Sequence, residues 1–391
     1  MNKEKNNSGN NKIKSSRGRV TFFVLILSFF LIVGTVSFTG IITPDRDFSE
    51  NENRVLASMP ALTLQSLADG SFMKKAETYL ADQFPFRDTA IRFKSLVDRA
   101  LGKTEENGAY VGKNGFLFDK PSAPDKTKIT DVILSVNRFA ERNTDIDVSF
   151  ALVPNSTFIY ADNLPDYVSL PDQKAQIKAF YGKLSDEITP VNTVKPLLHA
   201  SSEHQVFYKT DHHWTTRGAF SVFSEIARVL EIDATEADFE FFTVSDSFKG
   251  TLSSKVTSSP SADSVEICIP KDNSVRFYID FYGEKEKSST FFYKDKLETK
   301  NHYEVFLGGN YGKLTVTTSL EGGRKLLIIK DSFANCLIPL LTPYFSKITV
   351  LDPRYMTEGI SEVLEGDNYT DALFLYNVNT LLQDTSIRDV L

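Results

Sequence analysis

The stretch LLIIKDSFANCLIPLL, residues Leu326–Leu341, has the pattern of a buried strand, a sharp turn and a helix. In parallel α/β sheets the reactive groups lie at the carboxyl ends of strands. A helix that starts at such a point also offers free backbone N–H groups to an anion. Ser332 therefore occupies the position of a nucleophile, although a serine at such a turn is more often only a helix N-cap.

The alternation of strands and helices continues on both sides of this stretch. Predicted strands cover residues 148–155, 205–210, 325–331, 347–352 and 371–378. Predicted helices cover 128–142, 173–187, 332–345 and a segment that is N-capped by Thr215 or Thr216. This pattern predicts an α/β fold, in which a mostly parallel sheet carries helices on both faces.

Two segments depart from this alternation. Residues 109–118 have the glycines and the alternating polarity of a short hairpin. Residues from about 240 to 320 are rich in Thr, Ser, Tyr and Phe, and we predict that they form a β-rich insertion.

The second informative stretch is YKTDHHWTTRGAF, residues Tyr208–Phe220, because it places two of the chain's five histidines next to an acid and the only tryptophan. A serine nucleophile needs a base to take its proton and an acid to orient that base. Asp211 and His213 are two residues apart, so they lie on the same side of an extended segment, and His212 points elsewhere. The sequence therefore predicts a triad of Asp211, His213 and Ser332.

Other interpretations of this stretch remain open. Adjacent acid and histidine side chains are also found in metal sites. The other histidines, His199, His204 and His302, show no ligand spacing such as H-x-x-x-H, so we rank a metal site well below the triad. Trp214 is by default a core residue, and its alternatives are a carbohydrate platform or a wall of the site.

The N-terminus predicts a membrane anchor. Residues 1–19 hold six Lys or Arg and one Glu, and residues 20–42 hold no charge. Because about 20 apolar residues span a bilayer and basic flanks stay inside, the tail is expected in the cytoplasm and the body outside. A cleaved signal peptide is the alternative, but its apolar part is usually about 7–15 residues and ends in an A-x-A-like site, which this sequence lacks. We assign 43–105 to a juxtamembrane helical adaptor and 106–391 to the main α/β domain.

Composition excludes several classes of protein. The chain has 391 residues, a formal net charge of -7 and no basic stripe with interleaved aromatics outside its tail, so nucleic acid is not expected as a partner. Two distant cysteines, Cys268 and Cys336, form neither a disulfide framework nor a zinc site.

The two motifs together resemble the DHHW family, which is named for Asp211-His212-His213-Trp214, and the SGNH-hydrolase-like proteins of alginate O-acetylation. Matching pieces occur along most of the chain after the anchor: ENRVLASMP, FPFRD, VGKNGFLF, TDHHWTTRGA, FLGGN, KDSFANCLIPLL and LDPRY. The resemblance implies a rearranged, flavodoxin-like SGNH fold, in which the acid and the base precede the serine along the chain.

The resemblance also implies the roles of individual residues. Asp211 would orient the base His213, and Ser332 would be the nucleophile. Lys330 stands where the usual G-D-S motif has glycine, which places the standard oxyanion arrangement in question. The candidate oxyanion or substrate contacts are the Ser332 N–H group, Asn155 and Arg354, together with Trp214.

The function implied is a membrane-anchored, extracytoplasmic O-acyltransferase that moves acetyl groups to hydroxyls of an envelope polysaccharide or exopolysaccharide through an acyl-serine. A multispanning membrane acyltransferase is the implied partner and acetyl source, and no metal or other cofactor is expected. The alternatives are a carbohydrate acetylesterase that uses the same triad, and a non-catalytic envelope scaffold.

Overall fold

The computed structural model describes residues 7–49, 54–121, 124–257, 262–356 and 358–391. The chain forms two compact units, Met1–Leu101 and Gly102–Leu391. Residues 1–6 of the predicted basic tail lie outside the described residues.

The first unit is dominated by one long helix, α1, Asn7–Ile42. Its segment Val20–Ile42 is long and apolar enough to cross a membrane, and its side chains are not buried by the rest of the protein. The structure thus has an apolar helix at the place predicted for the anchor. The remaining elements of this unit are the strands β1, Phe48–Ser49, and β2, Arg54–Val55, and the helices α2, Leu64–Ala68, α3, Ser71–Asp82, and α4, Arg87–Ala100.

The second unit is built on a seven-stranded sheet among the described residues. The strand order is β10-β11-β13-β12-β14-β6-β7, in which β13, β12, β14, β6 and β7 run parallel, β11 pairs antiparallel with β13, and β10 pairs antiparallel with β11. These strands are β6, Asp147–Val153, β7, Ile188–Val191, β10, Phe277–Asp280, β11, Lys313–Thr318, β12, Lys325–Lys330, β13, Lys347–Leu351, and β14, Asp371–Asn377. The mostly parallel sheet predicted from the sequence is therefore confirmed.

The apolar run of β12 explains why the sheet is covered on both faces. Successive side chains of a strand point to opposite faces, so Leu326 and Ile328 join one hydrophobic cluster while Leu327 and Ile329 join the other. Each of the four is at most 1% exposed. A central strand that is apolar at every position is stable only between two layers of helices and loops.

The helices of the second unit are α5, Lys126–Arg142, α6, Ser156–Ile159, α7, Gln173–Tyr181, α8, Val194–Ala200, α9, Thr216–Val229, α10, Thr251–Lys255, α11, Ile338–Leu341, α12, Ile360–Glu365, α13, Val378–Gln383, and α14, Ser386–Val390. Most of them cover these two faces, whereas α10 packs against the hairpin of residues 109–119. Thr215 caps α9, because its hydroxyl accepts a hydrogen bond from the Gly218 N–H group at 3.2 Å. This was one of the two predicted caps.

Three predicted elements are different in the structure. The helix predicted over 332–345 is divided into three pieces: a 3-10 helix at Ser332–Cys336, α11, and a 3-10 turn at Thr342–Tyr344. The division occurs because Pro339 and Pro343 lack the N–H groups that a continuous helix needs. The helix predicted over 173–187 ends at Tyr181, where Gly182 caps it.

The prediction of a strand over 205–210 is wrong, because this segment forms only one isolated β-bridge, between Phe207 and Trp214. The Asp263 carboxylate accepts hydrogen bonds from the N–H groups of Lys209, at 2.9 Å, and Thr210, at 2.8 Å. A side chain therefore satisfies the donors that a neighbouring strand would have taken, and the chain turns back on itself.

The remaining β structure lies at the periphery of this unit. The predicted hairpin is present as β4, Ala109–Val111, and β5, Leu117–Asp119, with a third short strand, β3, Glu105–Glu106. In the segment 240–320, β8, Phe239–Phe248, and β9, Asp263–Pro270, form a separate ribbon, whereas β10 and β11 extend the main sheet.

The packing of Phe150 gives a stability prediction. Its ring is fully buried and stacks on Phe374 with a centroid distance of 5.5 Å. Phe150→Ala should lower the free energy of unfolding of this unit by about 3–5 kcal/mol, because it removes a buried ring and leaves a cavity. Urea denaturation of the detergent-solubilised chain, followed by the fluorescence of the single Trp214, measures this change.

Leu134→Ala is the matched control, because Leu134 is 46% exposed on α5. It should change the same free energy by about 0.5 kcal/mol or less. Equal losses in the two variants would contradict the packing described here.

Candidate active site

Ser332 follows β12 and begins the 3-10 helix, where its position is fixed by the preceding Asp331. One oxygen of the fully buried Asp331 carboxylate accepts the Phe333 N–H group at 3.0 Å, and the other accepts the Asn377 N–H group at 2.8 Å. Asp331 thus ties the turn to the end of β14. Ser332 is half-buried at the carboxyl edge of the sheet.

Asp211, His213 and Ser332 form a continuous chain of hydrogen bonds. His213 Nδ1 lies 2.6 Å from Asp211 Oδ1, and His213 Nε2 lies 2.7 Å from Ser332 Oγ. The same Asp211 oxygen also accepts the His213 backbone N–H group at 3.0 Å. With its proton on Nδ1, the neutral imidazole presents the Nε2 lone pair to the serine hydroxyl, which donates to it.

The second oxygen of Asp211 is held by Thr251, a residue that the sequence analysis did not single out. Asp211 Oδ2 accepts the Thr251 N–H group at 2.8 Å and the Thr251 hydroxyl at 2.9 Å. Burial alone would raise the pKa of Asp211, but His212, His213 and the hydrogen bonds of His213 outweigh it and keep the pKa below its ordinary value. Asp211 is therefore ionised and fully hydrogen-bonded.

His213 is buried, and its ring is fixed on both sides. Burial, together with the neighbouring His212, lowers the pKa of His213 to about 4, against the opposing attraction of Asp211. The ring stacks on Tyr303 at 3.8 Å with an interplanar angle of 10°. Tyr303 in turn donates its hydroxyl to the Ser332 carbonyl oxygen at 3.0 Å, so one side chain supports both base and serine.

Neither Thr251 nor Tyr303 lies in a recognisable motif. Both belong to the polar segment after residue 240, and the chain returns to the site only in three dimensions. No local sequence signal distinguishes them from their neighbours.

Trp214 is a core residue in this structure. It is fully buried, and its Nε1–H group donates to the Phe333 carbonyl oxygen at 2.8 Å. A carbohydrate platform requires an exposed ring face, so the predicted substrate contact is corrected. Trp214 instead holds the main chain that follows Ser332.

Asn155 and Arg354 lie at the predicted edge of the sheet, where both line a cavity of about 580 Å³ together with His212 and Thr251. Asn155 Nδ2 donates to Asn379 Oδ1 at 2.8 Å. Arg354 donates to both oxygens of Asp352, at 2.8 and 2.6 Å. Among the described residues, neither side chain is hydrogen-bonded to Ser332.

Lys330, which replaces the usual glycine, points away from the serine into a buried polar cluster. Its Nζ donates to Asp352 at 3.0 Å and to Asn335 at 2.9 Å. Burial lowers the pKa of Lys330, although Asp352 opposes this shift. Lys330 and Arg354 therefore share one buried carboxylate, which fixes the end of β13 beside the turn of Ser332.

The arrangement of Asp211, His212 and His213 also brings three possible metal-binding groups within 4.8 Å of one another. Both ring nitrogens of His213 are already engaged, however, with Asp211 and Ser332. Both Asp211 oxygens have partners as well. This geometry fits a proton relay better than a metal centre.

Comparison with known proteins agrees with this architecture. Residues 110–293 match the family model described as "SGNH hydrolase-like domain, acetyltransferase AlgX". A protein of Pseudomonas syringae pv. tomato named "Probable alginate O-acetylase AlgJ" is 25% identical over 208 residues, which are 51% of this chain and 49% of the relative. The chain thus spans about half the length of the curated relatives that it matches.

Two solved structures share the fold. A DHHW family protein from Eubacterium siraeum has a TM-score of 0.62 at 20% identity and covers 73% of this chain and 97% of that chain. Bacillus cereus PatB1 with a sulfonyl adduct has a TM-score of 0.59 at 19% identity and covers 70% and 96%. The predicted SGNH-like fold and the resemblance to these proteins are therefore confirmed.

The contact between Gly250 and Asp211 gives a second stability prediction. A Cβ atom on Gly250 would lie 2.3 Å from Asp211 Cβ and 2.5 Å from Oδ2. Gly250→Ala should therefore displace the carboxylate and lower the free energy of unfolding by about 1–3 kcal/mol. Gly366→Ala is the control, because its new Cβ would meet nothing nearer than 3.7 Å. A Gly250→Ala protein as stable as this control would contradict the close approach.

The environment of His213 predicts an unusual titration. Because the pKa of His213 is lowered to about 4, the ring should stay neutral from neutral pH down to that value. NMR of chain labelled with ¹³C at the histidine ring carbons measures this midpoint, and His213→Gln assigns the resonance. The same resonance in denaturant should titrate near about 6.5. A folded-state midpoint near that ordinary value would contradict the burial of the neutral base.

Proposed function

We propose that this protein is a membrane-anchored O-acyltransferase that transfers acetyl groups to hydroxyls of a cell-envelope polysaccharide or exopolysaccharide through an acyl-Ser332 intermediate. The observation that carries the proposal is the hydrogen-bond chain from Asp211 through His213 to Ser332. The similarity to alginate O-acetylases supports the acetyl group and the polysaccharide acceptor.

In the first half-reaction, Ser332 Oγ attacks the carbonyl carbon of an acetyl ester while its proton passes to His213 Nε2. The carbonyl oxygen becomes an oxyanion, and Asp211 stabilises the imidazolium that has formed. As the tetrahedral intermediate collapses, the bond to the leaving oxygen breaks and that oxygen takes the proton from His213. The products are the acetyl ester of Ser332 and the free alcohol of the donor.

In the second half-reaction, an acceptor hydroxyl attacks the acetyl-Ser332 carbonyl and gives its proton to His213 Nε2. Collapse of this intermediate returns the proton to Ser332 Oγ and releases the acetylated acceptor. The low pKa of His213 keeps the ring neutral at the start of each step, which a general base requires.

The oxyanion requires donors that are already in place. Ser332 is the first residue of its 3-10 helix, where N–H groups have no partner inside the helix. Arg354 and Asn155, which line the neighbouring cavity, are the further donors that we propose. Arg354 uses Nε and Nη2 for Asp352, which leaves Nη1 to face a substrate.

The apolar helix and its basic flank support a single-pass topology, with the N-terminus in the cytoplasm and the catalytic domain outside. We propose that residues 43–105 act as the adaptor between anchor and catalytic domain.

Because acetyl donors are made in the cytoplasm, an extracytoplasmic enzyme needs a partner that carries acetyl groups across the bilayer. A multispanning membrane acyltransferase fits that requirement.

A carbohydrate acetylesterase is the second candidate, because water can attack the same acyl-serine. The two functions differ only in the acceptor, so the ratio of transfer to hydrolysis distinguishes them. A non-catalytic scaffold would leave the acylation of Ser332 undetectable.

Acyl transfer to Ser332 can be measured directly. The detergent-solubilised chain should release p-nitrophenol from p-nitrophenyl acetate and carry one acetyl group on Ser332 by mass spectrometry. Ser332→Ala and His213→Ala should lower this rate by about 10³-fold or more, because the triad acts as a unit. A sulfonyl reagent should label the same serine and block acetylation.

The exposed residues Ser202 and His204 provide matched controls. Ser202→Ala and His204→Ala should keep the wild-type rate and label. Loss of rate in these controls, or wild-type labelling in a folded Ser332→Ala protein, would exclude Ser332 as the nucleophile.

A further inference from the structure

The mechanism above leaves one histidine of the pair unused. The His212 ring lies beside that of His213 with a centroid distance of 3.9 Å, but the His212 side chain is 39% exposed and lines the cavity of about 580 Å³. A second imidazole that is held at the edge of the triad and open to a cavity requires an explanation. Its hydrogen bonds show which atom it offers.

The hydrogen bonds of Thr251 determine the tautomer of His212. The Thr251 hydroxyl has one proton, which it donates to the ionised Asp211 Oδ2 at 2.9 Å, since a carboxylate can only accept. The same hydroxyl lies 3.0 Å from His212 Nδ1 and must therefore accept from it. In the neutral form of His212 the proton is then on Nδ1, and the Nε2 lone pair has no hydrogen-bond partner among the described residues.

The Nε2 atoms of the two neighbouring rings both point away from Asp211. His213 Nδ1 and His212 Nδ1 both approach Asp211 Oδ1, at 2.6 and 3.5 Å. In each ring Nε2 lies beyond Cε1 from Nδ1, so it is turned away from that carboxylate, and the ring centroids are 3.9 Å apart. The site thus presents two neighbouring hydrogen-bond acceptors, of which one serves Ser332.

The cavity beside these rings suits a sugar. Each described residue that lines it is polar or charged, and none of these residues is aliphatic or aromatic apart from His212 itself. Amides and cations are prominent in the lining: Asn155, Asn377, Asn379, Gln383, Lys255 and Arg354. The Asn377 main chain also binds Asp331, so the cavity borders the serine turn as well as His212. Such a lining favours hydroxyl groups over an acyl chain.

We propose that His212 and this cavity form an acceptor subsite that recognises a vicinal diol. His213 Nε2 takes the proton of the attacking hydroxyl, and His212 Nε2 accepts a hydrogen bond from the adjacent hydroxyl of the same sugar. This subsite rests on the proposed function and adds the class of acceptor to it. His212 undergoes no change of bonding during transfer, so it selects and positions the acceptor.

Two substitutions test the roles of His212 Nδ1 and His212 Nε2 separately. His212→Asn retains a polar atom for Thr251 but has none at the place of Nε2, whereas the longer side chain of His212→Gln brings a carbonyl oxygen near that place. Transfer from p-nitrophenyl acetate to 1,2-propanediol or to 1-propanol is measured as acetyl ester formed per acetate released. The full chain is used in a detergent without hydroxyl groups.

The wild type should favour the diol over the monoalcohol by about two- to tenfold, which corresponds to one hydrogen bond. His212→Asn should lose this preference and His212→Gln should regain part of it. The preference compares two acceptors of the same acetyl-Ser332, so it does not depend on the rate at which each protein forms that intermediate.

Equal use of diol and monoalcohol by the wild type, or an unchanged preference in His212→Asn, would overturn the subsite. A similar fall in acylation and in transfer would also overturn it, because His212 would then only support His213. Failure of the proposed function looks different, since no acetyl group would then appear on Ser332 in any of the proteins.

Discussion

The buried carboxylate of Asp211 is the constraint on which the rest of the site depends. An ionised group in a protein interior is stable only if hydrogen bonds or charges replace its lost water. Asp211 obtains four such bonds, two from His213 and two from Thr251. These bonds fix the tight DHHW turn, orient the His213 ring and bring the segment of Gly250 close to Asp211.

The same solution recurs around the site. The buried carboxylates of Asp263, Asp331 and Asp352 bind main-chain N–H groups or cations that would otherwise lack partners. Asp263 shapes the approach to the motif, Asp331 ties the serine turn to β14, and Asp352 fixes the end of β13. The positions of Ser332 and His213 are thus fixed by the hydrogen bonds and ion pairs of buried carboxylates as much as by hydrophobic packing.

Much of this could be predicted because it follows from local patterns. The apolar run of β12 required a strand that is buried on both faces, and the strand–turn–helix pattern placed Ser332 at the carboxyl edge of the sheet. The motif singled out Asp211 and His213, but the predicted extended segment with His212 pointing elsewhere was wrong: residues 209–213 bend, and the His212 ring lies 3.9 Å from that of His213. Trp214 was harder, because an aromatic residue beside a catalytic motif suits either a core or a sugar platform, and only its complete burial decides between them.

The sequence alone determined the membrane-length apolar helix and the α/β class, since both depend on composition or on short-range periodicity. Its two motifs also singled out Asp211, His213 and Ser332, which the fold brings together. Tertiary structure alone decided the partners of those residues. Thr251 and Tyr303 reach them from the segment after residue 240, and Thr251 also contacts His212, 39 positions away. Hydrogen bonds between distant segments leave no periodic trace in a sequence, so only the folded chain shows them.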